Sequence, residues 1–214
     1  MKKVISIVFG LLCIEGYCQT YTVTNLKMNV LYADIDNLLS IVIENTSCDS
    51  IFVESDNGIL VLGDSCKFLS IPNKVGRANI SVFKLFHKDT IFIGEWEFRV
   101  KSVPKPNILV CGMSGGRINK NLLCAQTRIS ASIESFDYDI RYKITKYSVK
   151  INRNNKPIYT SDIVGASFNS MIKNEFEKLE SNDQVIFYNV YAVRPNSKEE
   201  LLDEITFIIN ENNK

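Results

Sequence analysis

Apolar and polar residues alternate along this chain in short bursts, the pattern of β-strands separated by tight turns. Segments 28–33, 39–44, 50–54, 59–62 and 79–86 are rich in Val, Ile, Phe and Tyr, and Asp-Asn, Asn-Gly and Gly-Asp pairs punctuate them. Strands this short and this regularly spaced predict a sandwich. The strongest single strand is 91–100. Phe92, Trp96, Phe98 and Val100 share one parity there, and Glu95, Glu97 and Arg99 share the other. A period of two assigns the first set to a core and the second to water. His87, Lys88 and Asp89, just ahead of this strand, read as a hairpin tip.

The pattern breaks at Pro104 and Pro106, each of which removes a backbone donor and biases its predecessor toward an extended conformation. A stiff linker is therefore expected near residue 103, between domains at 19–102 and 103–214. Beyond it, Gly112, Gly115 and Gly116 precede Asn119. Their spacing fits neither GxGxxG nor GxxxxGK[ST], so the reading is a turn with positive φ leading into one or two helical turns capped by Asn119, not a phosphate loop.

The clearest alternation follows, with Phe136, Tyr138, Ile140, Tyr142 and Ile144 on one face and Asp137, Asp139, Arg141, Lys143 and Thr145 on the other. It predicts a half-buried strand. The apolar set then changes parity to Tyr147, Val149 and Ile151, and one extra residue near Thr145 or Lys146, a β-bulge, restores the common face. A short strand at 158–160 precedes a helix over about 170–180, capped by Asn169, with Ile172, Phe176 and Leu179 at helical spacing. Strands at 184–193 and 204–209 complete a fold that is mainly β, a sandwich followed by a β-rich domain with one short α-helix.

The first 18 residues stand apart. Lys2 and Lys3 precede an apolar stretch at 4–14 and then Gly16, Tyr17 and Cys18, the layout of a secretory signal peptide cleaved after Cys18. That stretch is about half the ~20 residues of a membrane-spanning helix, so no transmembrane anchor is expected in the mature chain. Cys13 and Cys18 raise an outer-membrane lipoprotein as an alternative, against which Leu12 and Tyr17 stand where a small residue is needed. Cleavage takes Lys2, Lys3 and Glu15 from 25 basic and 24 acidic residues and leaves the two signs equal. Without a clustered basic surface, nucleic acid is not an expected partner. Cys48, Cys66, Cys111 and Cys124 remain in a chain bound for an oxidising compartment, where three pairings are open. Pairing within each domain gives Cys48 with Cys66 and Cys111 with Cys124, and buried free thiols are the alternative.

The runs FRVKSVPKPNILVCGMSGGRINKNLLCAQ (98–126) and ASIESFDYDIRYKITKYSV (131–149), the capped helix and YNVYAVRPN (188–196) resemble the C-terminal region of the GldM/PorM family. Asn119 and Ser135 depart mildly from that family's pattern. MNVLYADID (28–36) resembles the start of the family's preceding Ig-like domain. The resemblance implies an N-terminal Ig-like β-sandwich and a GldM C-terminal-like domain. It also implies kinship with inner-membrane proteins of gliding motility and type IX secretion, whose terminal periplasmic domains contact other envelope proteins. This chain lacks their membrane helix and earlier domains, so the expectation is a stand-alone exported version.

Catalytic constellations are poorly represented. His87, the sole histidine, sits at the expected hairpin tip with no local motif joining it to a serine or cysteine. The cysteines lack CxxC spacing for zinc, and Asp137 and Asp139 read as the solvated face of a strand rather than an acid and base pair. No catalytic residue, cofactor or metal is expected. The function expected is a non-enzymatic protein-interaction or scaffold module of the periplasm, with a cell-envelope protein or a second copy as partner. A secreted ligand- or carbohydrate-binding sandwich is the alternative, and a hydrolase comes last.

Overall fold

The computed structural model describes residues 28–210 except Lys88 and Asn196. The expected export segment, with Cys13 and Cys18, lies outside the described residues. Seven strands form the first unit: β1 (Val30–Tyr32), β2 (Asn37–Ser40), β3 (Ile51–Ser55), β4 (Ile59–Leu62), β5 (Lys67–Ile71), β6 (Gly76–Phe86) and β7 (Asp89–Lys101). They make two sheets, ordered β1-β7-β6-β3 and β2-β5-β4. This is the Ig-like arrangement, with the second, fourth and fifth strands facing the third, sixth and seventh and the first laid parallel along the seventh. Leu31, Ile51, Phe68, Ala78, Ile80, Val82 and Val100 fill the space between the sheets.

The second unit contains β8 (Asn107–Leu109), β9 (Gly116–Ile118), α1 (Lys120–Cys124), β10 (Ser130–Ser132), β11 (Lys143–Arg153), β12 (Lys156–Val164), α2 (Ser170–Glu177), β13 (Gln184–Val193), β14 (Glu200–Leu201) and β15 (Ile205–Ile209). The main sheet runs β12-β11-β13-β15-β9, with β14 paired to β13, and β8 and β10 form a separate ribbon. Tyr147, Val149, Phe187 and Phe207 on the sheet form one buried core with Leu123 of α1 and with Ile172 and Phe176 of α2. Each helix starts as its sequence dictates. Asn119 Oδ1 accepts from Asn121 N at 2.8 Å and Asn169 Oδ1 from Ile172 N at 2.9 Å. Lys120 Nζ then donates to the Glu177 and Leu179 carbonyls at 2.9 and 3.1 Å, so α1 satisfies the open end of α2.

The bulge that the parity change demands lies at Thr145. Ile144 pairs with Ala192 and Lys146 with Tyr191, leaving Thr145 as the extra residue. Ile144, Tyr147, Val149 and Ile151 are consequently all buried.

The strand expected over 136–144 does not form. The chain is irregular until β11 starts at Lys143, because its aromatic residues pack against the other unit rather than into the sheet. Tyr32 meets Phe136 at 4.8 Å and Tyr138 at 5.4 Å between ring centroids, both edge-on, and Tyr138 donates its hydroxyl to Asn37 Oδ1 at 3.1 Å. Arg194 adds a bond to the Asp34 carbonyl at 3.0 Å. Local alternation had the right faces and the wrong partner.

One ionic bracket pins the second unit. Asp183, 2% exposed in its side chain, receives Arg153 Nε at 3.0 Å and Nη2 at 2.8 Å, and the Glu180 amide at 2.8 Å. Burial pushes its carboxyl pKa up, but the Arg153 and Glu180 hydrogen bonds together with the Arg153 charge outweigh it and hold the group below its ordinary value. A depressed folded pKa contributes stability that is present above the unfolded value of about 4 and lost as pH falls through the folded one. Asp183→Asn is therefore expected to cost about 2 kcal/mol at neutral pH, with the deficit vanishing in acid, as followed by urea melts from pH 7 to pH 2. Asn37→Ala strips the hydrogen-bond partners from both sides of the junction between the units and is expected to cost ~2–3 kcal/mol by the same melts.

Candidate interaction surface

The residues that reach solvent with large apolar side chains concentrate on the β6–β7 hairpin, and chain length explains why. β6 has 11 residues and β7 has 13, whereas β2, β4 and β5 of the facing sheet have 4, 4 and 5. At about 3.3 Å per residue the hairpin is roughly 20 Å longer than the sheet that covers it. Phe86 and Ile91 beyond Val82 are exposed, as is Trp96 opposite Ile80.

A second device turns aromatic rings onto the outer face. Val82 pairs with Gly94 and Phe83 with Phe92, so Ile93 is an extra residue on β7. Residues directly opposite one another share a face. Phe83 alternates away from buried Val82, and the bulge carries Phe92 to that same outer side. Phe52, paired with Phe83 from β3, completes a row with centroid separations of 6.0 and 5.5 Å. This corrects the expectation that Phe92, Trp96, Phe98 and Val100 all enter a core. Val100 is buried and Phe98 partly so, but Trp96 is 47% and Phe92 58% exposed. Trp96 does face inward, opposite Ile80, with its ring over Gly94, where a Cβ would lie 3.0 Å from Cη2. A larger residue at 94 would push this ring aside.

The outer face changes character toward the sandwich. Glu97 pairs with Arg77 at 2.9 Å and Glu95 accepts from the Ser81 hydroxyl at 3.1 Å. Solvent keeps both interactions weak, so the face reads as an aromatic end and a charged end on one sheet.

His87 lies at the hairpin turn with φ 56°, exposed, its ring 4.4 Å from that of Phe86. Asp137 and Asp139 are exposed, but on the irregular segment rather than a strand, and Asp139 faces Arg141 at 3.6 Å. A hollow of about 300 Å³ between the units is lined by Asp34, Asp36, Tyr138, Arg141 and Arg194 among others. The Tyr138 ring there is wedged against Tyr32 and Phe136 and its hydroxyl is given to Asn37, so it serves the junction rather than presenting a face for a sugar. Among the described residues no group of three or more His, Cys, Asp or Glu side chains is placed to hold a metal, and no helix is long and apolar enough to cross a membrane.

Cys48 and Cys66 are joined, with Cα atoms 4.9 Å apart. They link the start of the 3-10 turn before β3 (Cys48–Ser50) to the residue before β5. The other expected pair is not bonded. Cys111 and Cys124 are free thiols, because Cys111 Sγ turns to the Leu122 carbonyl of α1 at 3.6 Å. Burial raises the pKa of both thiols, Cys124 being further modulated by Lys120 and Glu177.

A family model of the GldM third domain matches residues 20–101, and one of the GldM C-terminal domain matches residues 104–210. The chain belongs to the GldM family. The sandwich with the aromatic hairpin lies in the third-domain match, and the six-stranded sheet with both helices lies in the C-terminal-domain match. Among curated proteins the GldM-type chain has no match. The surface described above was invisible to strand periodicity, because a bulge and an overhang reassign residues whose alternation is that of a core.

Non-reducing peptide mapping of the protein is expected to recover a Cys48–Cys66 linked peptide and to find Cys111 and Cys124 alkylatable after unfolding. Cys48→Ser with Cys66→Ser, which opens a loop of sequence separation 18, is expected to cost about 3 kcal/mol in urea melts.

Proposed function

We propose that this chain is an exported, non-enzymatic protein-interaction or scaffold module, related to the terminal periplasmic domains of GldM and acting in the periplasm. It consists of an Ig-like unit to about residue 102 and a GldM C-terminal-like unit from about 103, and it uses no cofactor. The observation that carries this reading is the row of Phe52, Phe83 and Phe92 on the outer face of a sheet, with Phe52 and Phe92 exposed. Soluble proteins expose contiguous aromatic surface mainly where something binds it, and aromatic side chains dominate the energetics of protein interfaces. Membership of the GldM family supports an envelope protein as the partner, in gliding motility or type IX secretion.

The test is cross-linking and capture from envelope fractions with the tagged mature protein. Phe92→Glu is expected to abolish capture of the partner while shifting stability by less than about 1 kcal/mol, since Phe92 lies outside the core. His87→Ala is expected to change nothing. Retention of the partner by Phe92→Glu, or turnover of a glycan or peptide that depends on His87, would overturn the reading.

A further inference from the structure

The outer edge of β7 sets this strand apart from the other edges of the fold. β1 covers only Arg99, Val100 and Lys101, and Arg99 N reaches one residue further, to the Asn29 carbonyl at 3.0 Å. From Asp89 to Phe98, β7 pairs with β6 alone among the described residues. An unpaired row of backbone donors and acceptors is a template for another strand, and proteins ordinarily blunt it with Lys, Pro, brevity or a bulge. The other edges of this chain follow that habit. β2, β3, β4 and β9 have at most 5 residues, and the nine-residue β12 opens with Lys156 and Pro157. β7 has 13 residues and carries neither Lys nor Pro before Lys101. Its one bulge, at Ile93, leaves the stretch 94–98 in regular pairing.

The side chains beside this edge say what could lie against it. Asp89, Glu95 and Glu97 are its charged residues between 89 and 98, and the strand's cations, Arg99 and Lys101, lie only where β1 already covers it. Glu95 and Glu97 point outward with Arg77 and Ser81, whereas Ile91 and Trp96 lie on the inner side with Gly94. A second copy added through the same edge would set one acidic strand beside another, which like charges on adjacent strands oppose. Resting on the interaction reading above, we infer that β7 accepts, by β-strand addition, an extended segment of another protein. That segment carries Lys or Arg at alternate positions toward Glu95 and Glu97, and apolar residues at the intervening positions toward Ile91 and Trp96. Main-chain hydrogen bonds supply the affinity and the two faces supply the choice of segment.

Backbone amide exchange of residues 91–98 in the full mature chain tests this. The probe is a blocked peptide of alternating Val and Lys, about nine residues long to match a typical strand, with two controls: Val alternating with Glu, and the Val/Lys peptide with a central Pro. The Val/Lys peptide is expected to slow exchange at this edge by about tenfold or more, and neither control to do so. Glu95→Lys with Glu97→Lys, its fold checked by circular dichroism, is expected to reverse the preference toward the Val/Glu peptide. Edge amides already protected in the chain alone overturn the proposal. Light scattering and a chain beginning at residue 28 then separate cover by a second copy from cover by the chain's own residues 19–27. Equal response to both charged peptides, or to none, also overturns it. If capture of an envelope partner still depends on Phe92 in those cases, the interaction reading stands and only the edge assignment falls.

Discussion

The buried amide of Asn37 ties three parts of this molecule together. The residue is 1% exposed, yet its Nδ2 donates to the carbonyls of Tyr32, Ile35 and Ser70 at 2.8, 2.9 and 3.2 Å. Its Oδ1 accepts from Tyr32 N at 2.8 Å and from the Tyr138 hydroxyl at 3.1 Å. One side chain thus closes the turn between β1 and β2, joins the two sheets and receives the second unit. A buried amide is costly unless its hydrogen-bonding capacity is met, so all these neighbours must arrive in register. Aromatic contacts of Tyr32 with Phe136 and Tyr138 fill in around it. The orientation of the hairpin relative to the C-terminal unit is thereby set by a polar network with few alternative arrangements.

Asn57 does a similar job at the same end of the sandwich, on the other side of β5. It donates to the Lys74 and Arg77 carbonyls, both at 2.9 Å, and accepts from the amides of Asn73 and Lys74, both at 3.1 Å. Gly58 beside it has φ +84°, and a Cβ there would come within 2.0 Å of the Ile71 carbonyl oxygen, so the Asn-Gly pair that marks a turn in the sequence is also a close backbone approach. Asn57, bonded to Lys74 and Arg77 on either side of Gly76, fixes where β6 begins.

Much of the fold was legible because local pattern and tertiary role agree. The Asn119 and Asn169 caps, the turn before α1 and the Thr145 bulge all follow from chemistry confined to a few residues. Periodicity reports that a face is apolar without saying what covers it. Phe136 and Tyr138 alternate as a strand does, yet the surface they meet lies about a hundred residues away in sequence. Phe92 has core parity until a bulge at Ile93, signalled locally only by the neighbouring Gly94, moves it to the other face. β5 gives no clear strand pattern because Lys67 and Ser70 dilute its apolar character, although Phe68 is among the most buried of the described side chains. The candidate surface was illegible for the same reason, since nothing local tells an exposed aromatic from a buried one.

The two units differ in how they can bear such a surface. The C-terminal core unites two helices and a six-stranded sheet and buries more than twice as many residues as the core of the sandwich. Hydrophobic burial there is ample, and Arg153 with Asp183 refines it. The sandwich has a thin core and leaves much of its longest hairpin outside it, so the apolar residues of 83–96 contribute little to folding. Small cores in such circumstances depend on staples, and the staples are visible: a cross-link between Cys48 and Cys66, two buried asparagines, and a docked neighbour. None of these bonds involves the exposed rings. The rings are therefore positioned by parts of the fold they do not help to stabilise, which leaves their composition free to answer to what they bind.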